Sequence, residues 1–140
     1  ATLAGIAARL SPGAPFVAVM LHPTFRSPRQ TAWGWDTTGR GAHKQYRRVD
    51  AYLSESCTPI TMNPGKAAHG ASPVETVTFH RPLSAYVRSL TSAGFAIEAM
   101  EEWPSLRTSE PGPRADEENR ARAEIPLFLG IRAVRSERTR

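Results

Sequence analysis

The sequence has 140 residues, of which 40% are hydrophobic and 22% are charged. This length is sufficient for one domain with a hydrophobic core, and no apolar run approaches the roughly 20 residues that a membrane-spanning helix needs. The first ten residues lack the basic segment and cleavage site of a secretory signal, and a single cysteine, Cys57, cannot form an internal disulfide. We therefore expect a cytoplasmic protein with no membrane association.

The net charge of +5 makes nucleic-acid binding one candidate function. Segment 22–50 contains six Arg or Lys residues and two Asp residues, and segment 132–140 contains four Arg residues and one Glu. An Arg-rich and Ala-rich composition explains the same excess without any nucleic-acid partner. The chain also lacks an initiating Met, which suggests a fragment of a longer protein.

An apolar stripe near the start of the chain predicts a helix, because its members follow the helical i, i+3, i+4, i+7 spacing. They are Leu3, Ile6, Ala7 and Leu10. Ser11-Pro12-Gly13 ends this helix, since Pro cannot continue it and Gly tolerates positive φ. Residues 16–21 are then continuously apolar, which predicts a strand buried on both faces, as in a parallel sheet.

Residues 23–80 are rich in Pro, Gly, Arg and aromatic residues and show little periodicity. A segment of this length without clear elements predicts a long, loop-rich insert of the kind that often forms a lid or a binding loop. Within it, residues 74–79 have a possible extended pattern.

Regular patterns return at Pro82, which is well placed as the first residue of a helix. Gly94 is a suitable C-terminal cap for that helix, and residues 95–100 follow as a strand. A short polar helix is predicted over 115–124 and a final apolar strand over 127–134. The order helix, strand, insert, helix, strand, helix, strand predicts an α/β fold.

Three of these segments resemble class I S-adenosylmethionine-dependent methyltransferases. Residues 8–17 resemble the family's turn between the fourth crossover helix and the fifth strand. Residues 83–102, with Ala93-Gly94-Phe95, look like the helix–strand unit that follows. Residues 127–134 are similar to the last strand, which returns antiparallel and inserts beside the fifth. The resemblance implies that residues 1–140 are the C-terminal part of a Rossmann-like methyltransferase domain.

The middle of the chain resembles a bacterial subgroup of these enzymes. The similar segments are residues 22–30, 33–36, 46–53, 79–83 and 118–129. The resemblance implies that the intact protein transfers a methyl group from S-adenosylmethionine to a small-molecule acceptor. It does not identify the acceptor.

The family's cofactor site uses a Gly-rich turn after the first strand and acidic or polar residues near later strands. Glycines let the backbone approach the ligand, and a carboxylate binds the ribose hydroxyls. The sequence contains no GxGxG motif. We therefore expect no cofactor-binding residue in this chain and no activity from it alone. The histidines lack short ligand spacing, so no metal site is predicted.

The candidate substrate-binding residues lie at the end of the first predicted strand and in the insert. They are His22, Phe25, Arg26, Arg29, Trp33, Trp35, Tyr46, Arg47 and Arg48. His22 either lines the acceptor pocket or acts as a base, or it forms a local hydrogen bond before Pro23. The aromatic and Arg residues either enclose an acceptor and clamp its anionic group, or they pack on the domain and solvate their charges.

Other polar residues also lie at predicted element ends. Glu101 and Glu102 follow the 95–100 strand, where they meet substrate or pair with Arg residues of the insert. His80 and Arg81 form the turn into the Pro82 helix. No catalytic residue is predicted, because methyl transfer needs mainly alignment and desolvation. A non-catalytic binding module and a basic nucleic-acid-binding protein remain as alternatives.

Overall fold

The structure is a computed structural model that describes residues 2–39, 43–63, 65, 68–70 and 72–137. The elements in chain order are α1 (Thr2–Ala7), β1 (Pro15–Leu21), β2 (Thr31–Asp36), β3 (Lys44–Val49), β4 (Ser56–Thr61), β5 (Glu75–His80), α2 (Leu83–Ser92), β6 (Phe95–Trp103), α3 (Ala115–Glu124) and β7 (Phe128–Arg135). The protein is therefore a mixed α/β structure. The end of the Arg-rich tail, residues 138–140, lies outside the described residues.

A three-stranded sheet with the order β1-β7-β6 forms the centre of the fold. β7 pairs antiparallel with both neighbours, so that β1 and β6 run parallel to each other. Its register places Leu129 opposite Met20 and Ile131 opposite Ala18. The expectation that the last strand returns antiparallel beside the first one is confirmed.

The hydrophobic core lies on one face of this sheet, under α1 and α2. Its buried members are Ala7, Leu90, Phe95, Leu129, Ile131 and Ala133. The rings of Phe16 and Phe95 pack with their centroids 5.2 Å apart. Apolar side chains at every second position of β1 thus meet the helical faces predicted from the 3.6-residue period.

The other face of β1 is exposed, which corrects the expectation of a strand buried on both sides. Val17, Val19 and Leu21 are 63%, 57% and 50% exposed. Among the residues that the structure describes, no second layer covers them, and β1 is an edge strand of its sheet. The continuous apolar run therefore gives a strand that is half covered within this chain.

Gly94 follows the second helix as expected, whereas α1 ends at Ala7, before the Ser11-Pro12-Gly13 turn that was predicted to end it. Gly13 has a φ of 79° and Gly94 a φ of 83°, which is the left-handed region that favours glycine. Pro82 lies at the N-cap position, one residue before α2 begins at Leu83, and not at the first helical position as predicted. Arg135 lies over Gly94 and donates hydrogen bonds to the carbonyl oxygens of Gly94 (2.8 Å) and Ala7 (3.1 Å), so that one side chain joins the last strand to the first helix.

The predicted insert is less loop-rich than expected, because it contains two antiparallel hairpins. β2 pairs with β3, and β4 pairs with β5. The predicted extended piece at 74–79 corresponds to β5, whereas the other three strands were missed. In β2 the polar and apolar residues do not alternate cleanly, since both of its faces are half-buried.

Candidate functional site

The carboxyl ends of β1 and β6 bring His22 and Glu102 together. The side chain of His22 is buried, at 3% exposure, and its Nε2 lies 2.7 Å from Oε1 of Glu102. Nδ1 of His22 accepts a hydrogen bond from the backbone N–H of Thr24 at 3.2 Å. Because Nδ1 is the acceptor, the ring proton of neutral His22 lies on Nε2 and is donated to the carboxylate.

This arrangement changes the predicted roles of both residues. Neither ring nitrogen of His22 is open to a ligand, so the interpretation of His22 as a direct base is not supported by the geometry. Glu102 is 58% exposed and has a second carboxylate oxygen outside the His22 bond. Both Glu101 and Glu102 lie within β6, which continues to Trp103 instead of ending at residue 100. Glu102 pairs with His22, whereas Glu101 accepts a hydrogen bond from Nε1 of Trp103 at 3.1 Å.

The turn after β1 holds this pair in place. The backbone N–H groups of Phe25 and Arg26 donate to the carbonyl oxygen of His22 at 3.2 and 2.9 Å. The ring of Phe25 packs against the ring of His22, with centroids 4.8 Å apart. His22 itself donates its backbone N–H to Leu127 O at 2.9 Å, which ties the turn to the segment before β7.

Arg26 and Arg47 form hydrogen bonds within the protein. Arg26 donates from Nε to Pro126 O (3.2 Å) and from Nη2 to Ile125 O (3.3 Å). Arg47 donates from Nε to Phe25 O (2.8 Å) and from Nη2 to the hydroxyl of Thr31 (2.7 Å).

Both guanidinium groups lie over the ring of Trp33, with carbon-to-centroid distances of 5.3 and 5.1 Å. Burial lowers the pKa of Arg26 and of Arg47, and a second Arg nearby adds to each effect. The structure thus favours a packing role for Arg26, Arg47 and Trp33 over a role of the two Arg residues as an open anion clamp.

The remaining candidates do not take part in these contacts. Trp35 stacks with Arg114, whose guanidinium carbon is 5.3 Å from the ring centroid. Arg48 forms an exposed ion pair with Asp50 at 2.9 Å. The other two are Arg29, which is exposed with a φ of 63°, and Tyr46, which is 47% exposed and covers Gly34. The contacts described above therefore join His22, Phe25, Arg26, Trp33 and Arg47, and the other four predicted residues are not part of this set.

His80 has a structural environment, as its predicted place in a helix-entering turn suggests. Its ring is buried and Nε2 lies 2.8 Å from Tyr52 O. The hydroxyl of Tyr52 accepts the backbone N–H of Leu83 at 2.8 Å, which satisfies a donor at the start of α2. Sequence reasoning missed this role of Tyr52, since no local signal links it to a helix 31 residues away. A small cavity of about 40 Å³ has His22, His80 and Tyr86 among its lining residues.

No metal-binding group of three or more His, Cys, Asp or Glu residues occurs in the part of the chain that the structure describes. Within the same residues, no helix is long and apolar enough to cross a membrane. A glycine cradle for a nucleotide-like cofactor is also absent from the described strand-to-helix connections: β5 passes to α2 through Arg81-Pro82, and the β6–α3 loop has one glycine, Gly112.

Comparison with solved structures decides the kind of protein to which this fold is related. A structure from Listeria monocytogenes, described as an S-adenosylmethionine-dependent methyltransferase, matches with a TM-score of 0.62 and 25% identity, over 96% of this chain and 53% of that one. The chain resembles S-adenosylmethionine-dependent methyltransferases over about half of their length. One from Mesorhizobium loti matches at a TM-score of 0.61 and 29% identity, over 95% of this chain and 53% of that one.

These matches confirm the methyltransferase resemblance that the sequence segments predicted, and the share covered agrees with a half-domain. No protein-family model matches the sequence. A search of curated proteins gives no match.

Proposed function

We propose that this chain is the C-terminal part of a class I methyltransferase with a Rossmann-like fold. The observation that carries the proposal is the β1-β7-β6 sheet, in which an antiparallel last strand separates two parallel strands. The two methyltransferase structures that match nearly the whole chain support it. The intact protein would transfer a methyl group from S-adenosylmethionine to a small-molecule acceptor.

The described residues do not fit S-adenosylmethionine by themselves. The described strand-to-helix connections offer no glycine-rich turn, and such a turn is what lets backbone N–H groups approach a nucleotide-like ligand closely. In the intact protein, S-adenosylmethionine would supply the methyl group, and residues outside this chain would hold it. Residues 1–140 would contribute the acceptor side of the site and remain inactive alone.

The exposed apolar face of β1 supports the proposal that another part of the intact protein packs against this strand. Val17, Val19 and Leu21 present an apolar row on an edge strand, and such a surface promotes aggregation when nothing covers it. A further strand beside β1 and a layer over this row would remove both liabilities. The two matching structures are nearly twice as long as the aligned region, which leaves enough chain for such a layer.

The acceptor side would be the carboxyl edge of the sheet. In open α/β sheets ligands bind outside the carboxyl ends of the strands, and β1 and β6 place His22 and Glu102 at that edge. The β2–β3 hairpin follows directly and would form part of a lid. Phe25, Arg29 and Tyr46 would still be available to an acceptor, whereas Arg26 and Arg47 are engaged by protein oxygens.

Calorimetric titration with S-adenosylmethionine tests this function. We expect binding by the protein as its gene encodes it, and none at micromolar concentration by residues 1–140 alone. Translation of the DNA upstream of the Ala1 codon provides the control, because a strand followed by GxGxG is expected there. Micromolar affinity of residues 1–140 would contradict the assignment of the cofactor site to another part of the protein.

A further inference from the structure

The Glu102 carboxylate is held in a fixed position although much of it faces solvent. One oxygen accepts the Nε2 proton of His22 at 2.7 Å, and His22 is almost completely buried and fixed at Nδ1 by Thr24. A surface Glu normally samples several rotamers, and fixing them costs free energy when a ligand binds. Here the protein has already ordered the carboxylate, which is the kind of preorganisation that favours ligand binding.

The charge of Glu102 has no Arg or Lys partner within ion-pair distance among the described residues. Five other carboxylates each pair with an Arg: Asp50, Glu55, Glu98, Glu117 and Glu118. Glu102 bonds instead to His22 through one oxygen, and its second carboxylate oxygen lies at the edge of the sheet, where Glu102 is 58% exposed. A carboxylate without a cationic partner attracts a cation from outside the protein.

The surroundings of Glu102 favour an organic cation over a bare metal ion. No further His, Cys, Asp or Glu joins the pair to make a set of three ligands in the described parts of the chain. The ring of Phe25 packs against the ring of His22, which bonds to Glu102, so that an aromatic side chain lies one residue away from this carboxylate. Aromatic faces attract alkylammonium groups and bury the carbon atoms next to them.

We propose that Glu102, oriented by His22, binds the ammonium group of an amine at the carboxyl edge of β1 and β6. Because methyl acceptors would enter at this edge, the amine is the acceptor class, and the free carboxylate oxygen of Glu102 would take the ammonium proton whose loss frees the nitrogen lone pair for methylation; this last step rests on the proposed methyltransferase function. Glu102 makes the contact with the ligand. His22 is a positioning residue that acts through Glu102.

Binding of benzylamine to the protein as its gene encodes it tests the site. We expect saturable NMR shifts of the Glu102 and Phe25 resonances with benzylamine, and none with its neutral analogue benzyl alcohol or with benzoate. Glu102→Gln keeps the shape and removes the charge, and it is expected to weaken binding at least tenfold, the loss of one charge-assisted hydrogen bond. Glu101→Gln, a neighbouring carboxylate bonded to Trp103, is the matched control and is expected to bind as wild type does.

The role of His22 is tested by two substitutions. His22→Leu removes the donor to Glu102, whereas His22→Gln retains an N–H at a similar distance from the backbone. We expect the affinity for benzylamine to fall in His22→Leu and to stay close to that of wild type in His22→Gln. A purely structural role of His22 would not produce this difference between the two variants. Thermal melts of both variants show whether each is folded.

Two results would overturn the site: equal shifts with benzyl alcohol, or unchanged benzylamine affinity in Glu102→Gln. Titration of the same samples with S-adenosylmethionine separates this proposal from the proposed function. Benzylamine binding without S-adenosylmethionine binding would leave the amine site standing and reject the methyltransferase. The opposite result would reject the amine site alone.

Discussion

Replacement of Arg26 by Met distinguishes a structural role from a ligand-binding role. The Met side chain keeps the apolar stem of Arg26 but leaves the carbonyl oxygens of Pro126 and Ile125 without their donor. Hydrogen bonds to a charged group contribute about 1.5–3 kcal/mol each, and the contact with Trp33 adds roughly 0.5 kcal/mol. Relief of the buried charge offsets part of this loss, since burial already lowers the pKa of Arg26.

We therefore expect Arg26→Met to lower the free energy of unfolding by about 2 kcal/mol, which corresponds to a fall in Tm of roughly 4–8 °C for a protein of this size. Urea unfolding followed by fluorescence measures the change, provided that the transition is two-state. Arg48→Met is the control, because an exposed pair such as Arg48–Asp50 contributes about 0–1 kcal/mol. Equal stabilities of the two variants would refute the structural role of Arg26.

Two further predictions concern α3 and the exposed face of β1. Glu117 accepts hydrogen bonds from Arg120 and from the backbone N–H of Gln45, which hold its pKa at about 2 instead of 4.5. The contribution of Glu117 to stability is thus present above pH 4.5 and lost as the pH falls toward 2. The denaturant midpoints of wild type and Glu117→Gln should therefore differ at pH 6 and converge near pH 2. A difference that stays constant with pH would contradict this linkage. Val19→Thr should change the unfolding free energy of residues 1–140 by less than about 0.5 kcal/mol, as expected for an exposed position. In the intact protein, where a further layer would cover this face, the same substitution should lower the unfolding free energy by about 1 kcal/mol. Denaturant unfolding measures both changes, and equal changes would argue against a covering layer.

Elements with strong local signals could be predicted from the sequence. The polar helix at 115–124 has its expected bounds, and Gly94 ends α2 in a left-handed conformation. The final strand is displaced by one residue, from 127–134 to Phe128–Arg135. In each case a cap, a breaker or an apolar period lies within a few residues of the feature.

Features that depend on distant partners could not be predicted. Arg26 looked available for a ligand, but its acceptors lie about 100 residues away in sequence. Glu102 was considered as a substrate contact or an Arg partner, whereas its partner is His22, 80 residues away. The β2–β3 hairpin was hidden because Trp33 and Arg47 pack against each other in place of a clean polar and apolar alternation.

The position of β7 in the sheet has a consequence for synthesis of the protein. The hydrogen bonds between β1 and β7 can form only when β7 emerges, roughly 100 residues later, and at ribosomal rates this takes on the order of ten seconds. During that time the edge of β1 that pairs with β7 is unpaired on the nascent chain. The strand that lies between β1 and β6 is therefore made after both of them, and a ribosome that stalls before Phe128 leaves these two strands unjoined and exposed to chaperones and proteases.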